Sequence, residues 1–152
     1  MARLRALSRG TKVVLVAGPL VILSLFLDWQ DVKVDYGPAG VAELPQDGWD
    51  AWGLLLALLV IATLAVVVLR RLSEVELRED VPWDTVVLAL GAASFAVAVL
   101  KSLRDDGSTW LSYGFVGLAA LFAVGAYLCW EEARADSRSL VGRRRRGVSS
   151  AA

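Results

Sequence analysis

The chain has 152 residues, 57% of them hydrophobic and 21% charged, and its 16 basic and 16 acidic side chains cancel to zero net charge. A soluble domain is about 45–50% apolar and about 25% charged; here the apolar residues form four long blocks with the charges between them, which excludes a soluble globular domain, a disordered chain and a disulfide-stapled secreted module. With no histidine and one cysteine, Cys129, His-ligated haem, His-bearing zinc sites, a His general base, an intrachain disulfide and a Cys-x-x-Cys redox pair are excluded too.

In chain order, residues 1–11 form a basic N-terminal segment carrying Arg3, Arg5 and Arg9. The first apolar run, Val13 to Leu27, has no charge. With its flanks it is expected to span over 12–29, Lys12 snorkelling its ammonium to the headgroups. Phe26-Leu27-Asp28-Trp29 offers no small-x-small cleavage site, so the run reads as an uncleaved signal anchor. Pro19 inside it removes one backbone bond. An outer loop over 30–49 follows, then an uncharged run from Ala51 to Leu69, giving a second span over 50–70. Residues 71–81 form a short charged loop whose Glu74, Glu76 and Glu79 sit among arginines. The third span covers 82–103, with Pro82 suited to a first helical turn, Asp80 or Val81 near the cap, and Lys101 snorkelling at the far end. Residues 104–109 make a second outer loop, in which Ser108 or Thr109 is a plausible cap. The fourth span covers 110–130, and 131–152 is a basic tail, mostly Ser, Arg, Gly and Ala from Asp136 onward, expected to be disordered. In hydrocarbon each backbone polar group must be paired within its segment, so the spans are expected to be helices.

Basic residues set the orientation. The N-terminus holds four, the 71–81 region with Arg70 three, and the tail six, against one and two in the other loops. The positive-inside rule then places both termini and the middle loop in the cytoplasm of a cell membrane. All six Trp fall at span ends, where an apolar ring with one N–H donor prefers the interface. Thirteen Arg against three Lys, with no Asn, point to a GC-rich bacterial genome.

The segment Asp28 to Gly53 is the most distinctive. Val32, Val34 and Tyr36 alternate with Lys33 and Asp35, Gly37-Pro38-Ala39-Gly40 is a turn signal, and Val41 to Leu44 can return. A short outer β-hairpin over an all-α four-helix membrane bundle is therefore expected. Asp28, Trp29, Asp31, Asp35, Tyr36, Trp49, Asp50 and Trp52 form its candidate interaction surface. Trp29, Trp49 and Trp52 are expected to hold the hairpin to the helix ends while Asp31, Asp35 and Asp47 face water. The acids lack the spacing of a calcium loop of the EF-hand type, so no metal and no cofactor are assigned, and acids tolerated outside the membrane are the simpler reading.

The span interiors hold no Asp, Glu, Lys or Arg, which argues against a proton-coupled exporter. Rows of small residues, Ala89, Ala92, Ala93 and Ala96 in the third span and Gly114, Gly117 and Ala120 in the fourth, are expected to pack the four helices of one chain, with self-association as the alternative. Cys129 reads as a small buried or lipid-facing residue. The run Arg143, Arg144, Arg145 and Arg146 is assigned to lipid headgroups rather than nucleic acid. No phosphate-binding Gly-rich loop or nucleophile elbow occurs.

Leu27-Asp28-Trp29 and Gly48-Trp49-Asp50-Ala51-Trp52-Gly53 give the chain a layout that resembles uncharacterised small four-span integral membrane proteins of actinobacterial type, a resemblance that covers most of the chain and implies no known activity. Animal tetraspan junction proteins carry a Cys pair in the first outer loop, which is missing here. The expected function is a non-enzymatic, multi-pass structural or accessory subunit, whose partners are the bilayer and another membrane protein or a second copy. The alternative is a small oligomeric transporter or channel subunit. Ser24, Thr63, Ser94, Ser112, Tyr113 and Tyr127 are too scattered to draw a polar line for a pore.

Overall fold

The computed structural model describes residues 7–35, 37–71, 81–104 and 110–149. Within them run helix α1 (Arg9–Ser24), strand β1 (Asp28–Asp35), a 3-10 turn over Gly37–Ala39, strand β2 (Val41–Asp47), and helices α2 (Ala51–Arg71), α3 (Trp83–Arg104) and α4 (Trp110–Ser149). Glu74, Glu76, Glu79, Asp80, Ser108, Thr109 and Tyr36 lie outside the described residues.

The four helices close a ring. α4 packs extensively on α1 and on α3, α3 packs on α2, and α2 completes the ring against α1. The buried positions show why. In α1 they are Gly10, Val14, Ala17, Val21 and Ser24, in α3 Val87, Gly91, Ser94, Ala98 and Lys101. In α4, Ser112, Phe115, Ala119, Phe122, Ala126 and Cys129 follow the same alternation of three and four residues. That spacing keeps one seam of each helix on its neighbours. The seams are mostly small or β-branched, whereas Leu23, Leu54, Leu58, Ile61 and Leu121 point outward. Large apolar side chains on the outside and small ones within suit hydrocarbon, not water. Three helices, α2, α3 and α4, are long and apolar enough to cross a membrane.

Three buried hydroxyls donate within their own helices. Ser24 donates to the Val21 carbonyl at 2.6 Å, Thr63 to Leu59 and Ser94 to Leu90 at 2.8 Å each.

The span expected over 12–29 is not one helix. α1 starts earlier, at Arg9, because Ser8 caps it: the Ser8 hydroxyl accepts from the Thr11 N–H at 3.3 Å. Glu132 of α4 accepts from the N–H groups of Arg9 and Gly10 at 3.2 and 3.4 Å, placing a carboxylate at the positive helix end. The helix stops at Ser24; Leu25, Phe26 and Leu27 bond back to Ile22, Leu23 and Ser24 in a closing turn, and Asp28 and Trp29 already belong to β1. α1 is thus about 24 Å long at 1.5 Å per residue, short of the roughly 30 Å hydrocarbon core. Pro19 lies inside it on an exposed face.

Three other expectations are corrected. The tail does not leave the helix at Glu131: α4 continues to Ser149. Residues 131–149 contain no Pro and six Arg, a good helix former, and they extend a helix already nucleated by packing. The small-residue rows do not face the bundle: Ala89, Ala92 and Ala96 are exposed, Ala93 and Ala120 half-buried, and Gly114 and Gly117 face open space. Their spacing put them on a helix face but not on the inward one. Lys101 does not snorkel outward but is fully buried, on the inner seam of α3.

Gly125 shows how close α1 and α4 come. A Cβ there would sit 2.8 Å from Val13 Cγ1 and 3.0 Å from the Val14 backbone nitrogen, a distance a side chain cannot hold. Gly125→Val is expected to lower stability by about 1–3 kcal/mol through overpacking, whereas Gly117→Val, in open space, should leave it nearly unchanged. Melting curves of the two detergent-solubilised variants check this.

Candidate functional site

The hairpin, the N-terminus of α2 and the C-terminus of α3 meet at one end of the bundle. β1 and β2 pair antiparallel from Asp35 opposite Val41 to Asp28 opposite Asp47, with an irregularity between Asp28 and Gln30. The ladder continues further toward the bundle than the alternating residues 32–36 and the return 41–44 foretell, and β1 touches α4. On leaving β2 the chain is fixed to the end of α1, the Gly48 N–H donating to the Leu25 carbonyl at 2.8 Å.

Asp50 then does two things. Its Oδ1 accepts from the Gly53 N–H at 2.7 Å, capping α2, while its carbonyl accepts from Leu54. Its Oδ2 lies 2.9 Å from Lys101 Nζ. The lysine side chain is 0% exposed and the aspartate 29%. An ammonium that has left water needs an opposite charge beside it, and Asp50 supplies that charge from the junction of hairpin and helix. The cap is tight: a Cβ on Gly53 would lie 1.7 Å from the Gly48 carbonyl oxygen, so only glycine fits between the hairpin's exit and the first turn of α2.

Aromatic rings close the rim. Trp49 meets Phe26 edge to face with centroids 5.0 Å apart, and its backbone N–H donates to Asp47 Oδ1 at 3.1 Å. The Arg104 guanidinium lies 5.3 Å above the half-buried Trp52 ring, a cation–π contact. Trp110 is largely exposed.

Of the sequence-derived surface, the structure thus brings together Trp49, Asp50 and Trp52. Asp28 is exposed at the start of β1. Trp29, Asp31 and Asp35 are placed in β1 by their backbone only, and Tyr36 lies outside the described residues. Arg143, Arg144, Arg145 and Arg146 lie on the last turns of α4, again by backbone alone. Asp47 is exposed and turns back on its own loop. Sequence reasoning missed Lys101 and Arg104. The signal for Lys101 was present: it falls three residues after Ala98 and seven after Ser94, in register with the buried seam of α3.

At the opposite end, Arg70 of α2 pairs with Asp84 in the first turn of α3. There Cys129 is buried 3.8 Å from the Thr11 hydroxyl. Among the described residues no three His, Cys, Asp or Glu side chains converge as metal ligands would.

No protein family matches the chain, nor does any curated protein or solved structure.

Removing the charge at Asp50 should be worse than removing it at Lys101. Asp50→Asn keeps a capping side chain but removes the carboxylate charge 2.9 Å from the buried ammonium, an effect of about 3 kcal/mol. Lys101→Met leaves a carboxylate that still caps α2 and reaches water, so the loss should stay below that of Asp50→Asn. Chemical unfolding of both variants in one detergent ranks them.

Proposed function

We propose that the chain is a non-enzymatic four-span membrane protein, a structural or accessory subunit with both termini in the cytoplasm, that presents its hairpin outside the membrane to another membrane protein. The observation that carries the reading is the Asp50–Lys101 pair: it fastens the end of the hairpin to the bundle and holds a surface in place rather than opening a passage. The exposed apolar faces of α2, α3 and α4 support contact with lipid. α1, followed by the exposed Phe26 and Leu27 and carrying the exposed Lys12 in its first turn, serves as the fourth span despite its length. The thirteen-to-three distribution of basic residues favours the cytoplasmic side for the end bearing Arg9, Arg70 and Arg134.

The channel alternative draws less support, since Ser24, Thr63 and Ser94 spend their hydroxyl protons on their own helices and Tyr113 and Tyr127 face outward.

Two experiments test the proposal. In a Cys129→Ala background, a membrane-impermeant maleimide applied to intact cells should label Val41→Cys, on the exposed start of β2, and leave Ala135→Cys unlabelled until the membrane is opened. Labelling of Ala135→Cys from outside overturns the topology. Purified protein in liposomes should conduct no more ions than empty vesicles; a flux rising with protein content replaces the accessory reading with the channel one.

A further inference from the structure

α4 has 40 residues, about twice what a single span needs. Its uncharged stretch, Trp110 to Trp130, is about 31 Å long at 1.5 Å per residue, enough to fill a hydrocarbon core of about 30 Å. Residues 131–149 carry the helix about 28 Å further. Arg134, Ala135, Asp136, Ser137 and Arg138 are all exposed. Five successive positions exceed one helical turn, so the helix has left the bundle there and stands in water.

This length decides where the basic residues lie. Along the axis, Arg134 is about 6 Å beyond Trp130, and Arg143 to Arg146 are about 20–24 Å beyond it. The headgroup layer adds only about 5–8 Å to each side of the core. Tilting α4 by about 40°, the extreme for spanning helices, still leaves Arg143 about 15 Å out. Attraction between exposed charges is screened over about 8 Å. Arg134 therefore lies at headgroup height, and the run at 143–146 lies beyond the lipid to which sequence alone assigns it.

The run also has a shape. From Ser137 to Ala152 the chain holds five Arg and no Asp or Glu. Four successive helical positions, each turned about 100° from the last, occupy every side of the helix. A flat anionic surface meets one side only, whereas a groove with phosphates along both walls meets most of them. The helix, about 10–12 Å across, matches the major groove of B-form DNA at about 12 Å. The deep major groove of A-form RNA is too narrow for it. Arginine suits this contact, because its planar guanidinium takes a phosphate through two parallel N–H bonds.

We infer that the free end of α4 binds duplex DNA, entering the major groove with Arg143, Arg144, Arg145 and Arg146 against the phosphates of both walls. The contacts are to the backbone, so binding is independent of base sequence. Access to DNA in the cell rests on the cytoplasmic placement proposed above for this end.

The test uses the full-length chain in nanodiscs of phosphatidylcholine. A disc leaves both faces open, so binding there is read independently of orientation, which the labelling of Ala135→Cys reports separately. The anisotropy of a short labelled DNA duplex is followed as protein and then salt are added. Binding is expected in the micromolar range at physiological salt, and log K should fall against log salt with a slope of about −4, as four neutralised phosphates require. Replacing Arg143 to Arg146 together by Gln, which keeps helix propensity, should flatten the slope by about 3–4 and weaken binding more than about tenfold. Arg134→Gln, at headgroup height, should bind as the parent does. No binding to the duplex, or an unchanged slope in the fourfold variant, overturns the site. Equal flattening by Arg134→Gln shows general charge attraction and overturns it too. An A-form RNA duplex bound as tightly overturns the groove, and polyglutamate that displaces the duplex at equal charge replaces DNA with an acidic protein.

Discussion

An ammonium group enclosed at the end of an apolar helix bundle must be neutralised where it sits, and here the Asp50 carboxylate lies beside it. Lys101 is carried inward by the three-four spacing of the α3 seam, and Asp50 meets it at 2.9 Å. Because Asp50 also caps α2, the ion pair fixes three things together: where α2 begins, how α2 meets α3, and where the hairpin must end. The Gly48 bond to Leu25 and the close approach of Gly48 to Gly53 follow from the same junction. A buried pair of this kind is weak evidence for net stability, since apolar residues often do as well. What it supplies here is position, at the hairpin end of the contact between α2 and α3.

The opposite end is fastened by different means. Glu132 and Ser8 satisfy the first N–H groups of α1, and Arg70 and Asp84 join α2 to α3. Both sets of contacts are polar and lie at helix ends, while the middle of the bundle is held by small side chains in close contact. That division is what a bilayer imposes: association between helices there comes from packing and local hydrogen bonds, without a hydrophobic drive. Polar fastening is confined to the levels where water or headgroups begin.

Much of the architecture was legible in the sequence because charge and apolar length are coarse signals that no neighbour can overrule. The runs at 51–69, 85–100 and 110–130 became α2, α3 and the first half of α4. What failed was finer. Residues 25–27 are as apolar as those before them, so nothing in composition says that the helix ends at Ser24; the turn and strand that follow decide it. The rows at Ala89 to Ala96 and Gly114 to Gly117 have the spacing of a helix face, but spacing does not say which face. The competing seams, Val87-Gly91-Ser94-Ala98-Lys101 and Phe115-Ala119-Phe122-Ala126, had the same periodicity and won. Lys101 was misread for a related reason. A lysine near a span end snorkels unless a counter-charge waits inside, and that counter-charge lies 51 residues earlier in the chain. At the hairpin end of the bundle, Trp49, Asp50 and Trp52 stand out by residue type and by their place at a helix start, whereas the partnership of Trp52 with Arg104 needed the fold.

The central claim is that positions 50 and 101 act as one unit. A double-mutant cycle with Asp50→Asn, Lys101→Met and the two combined measures this in the folded protein itself. If the pair sets the junction, the double variant should be far less destabilised than the sum of the singles, with a coupling of about 1–3 kcal/mol. Losses that add to within about 0.5 kcal/mol would show that the two side chains act independently and that something else holds the hairpin end to the bundle.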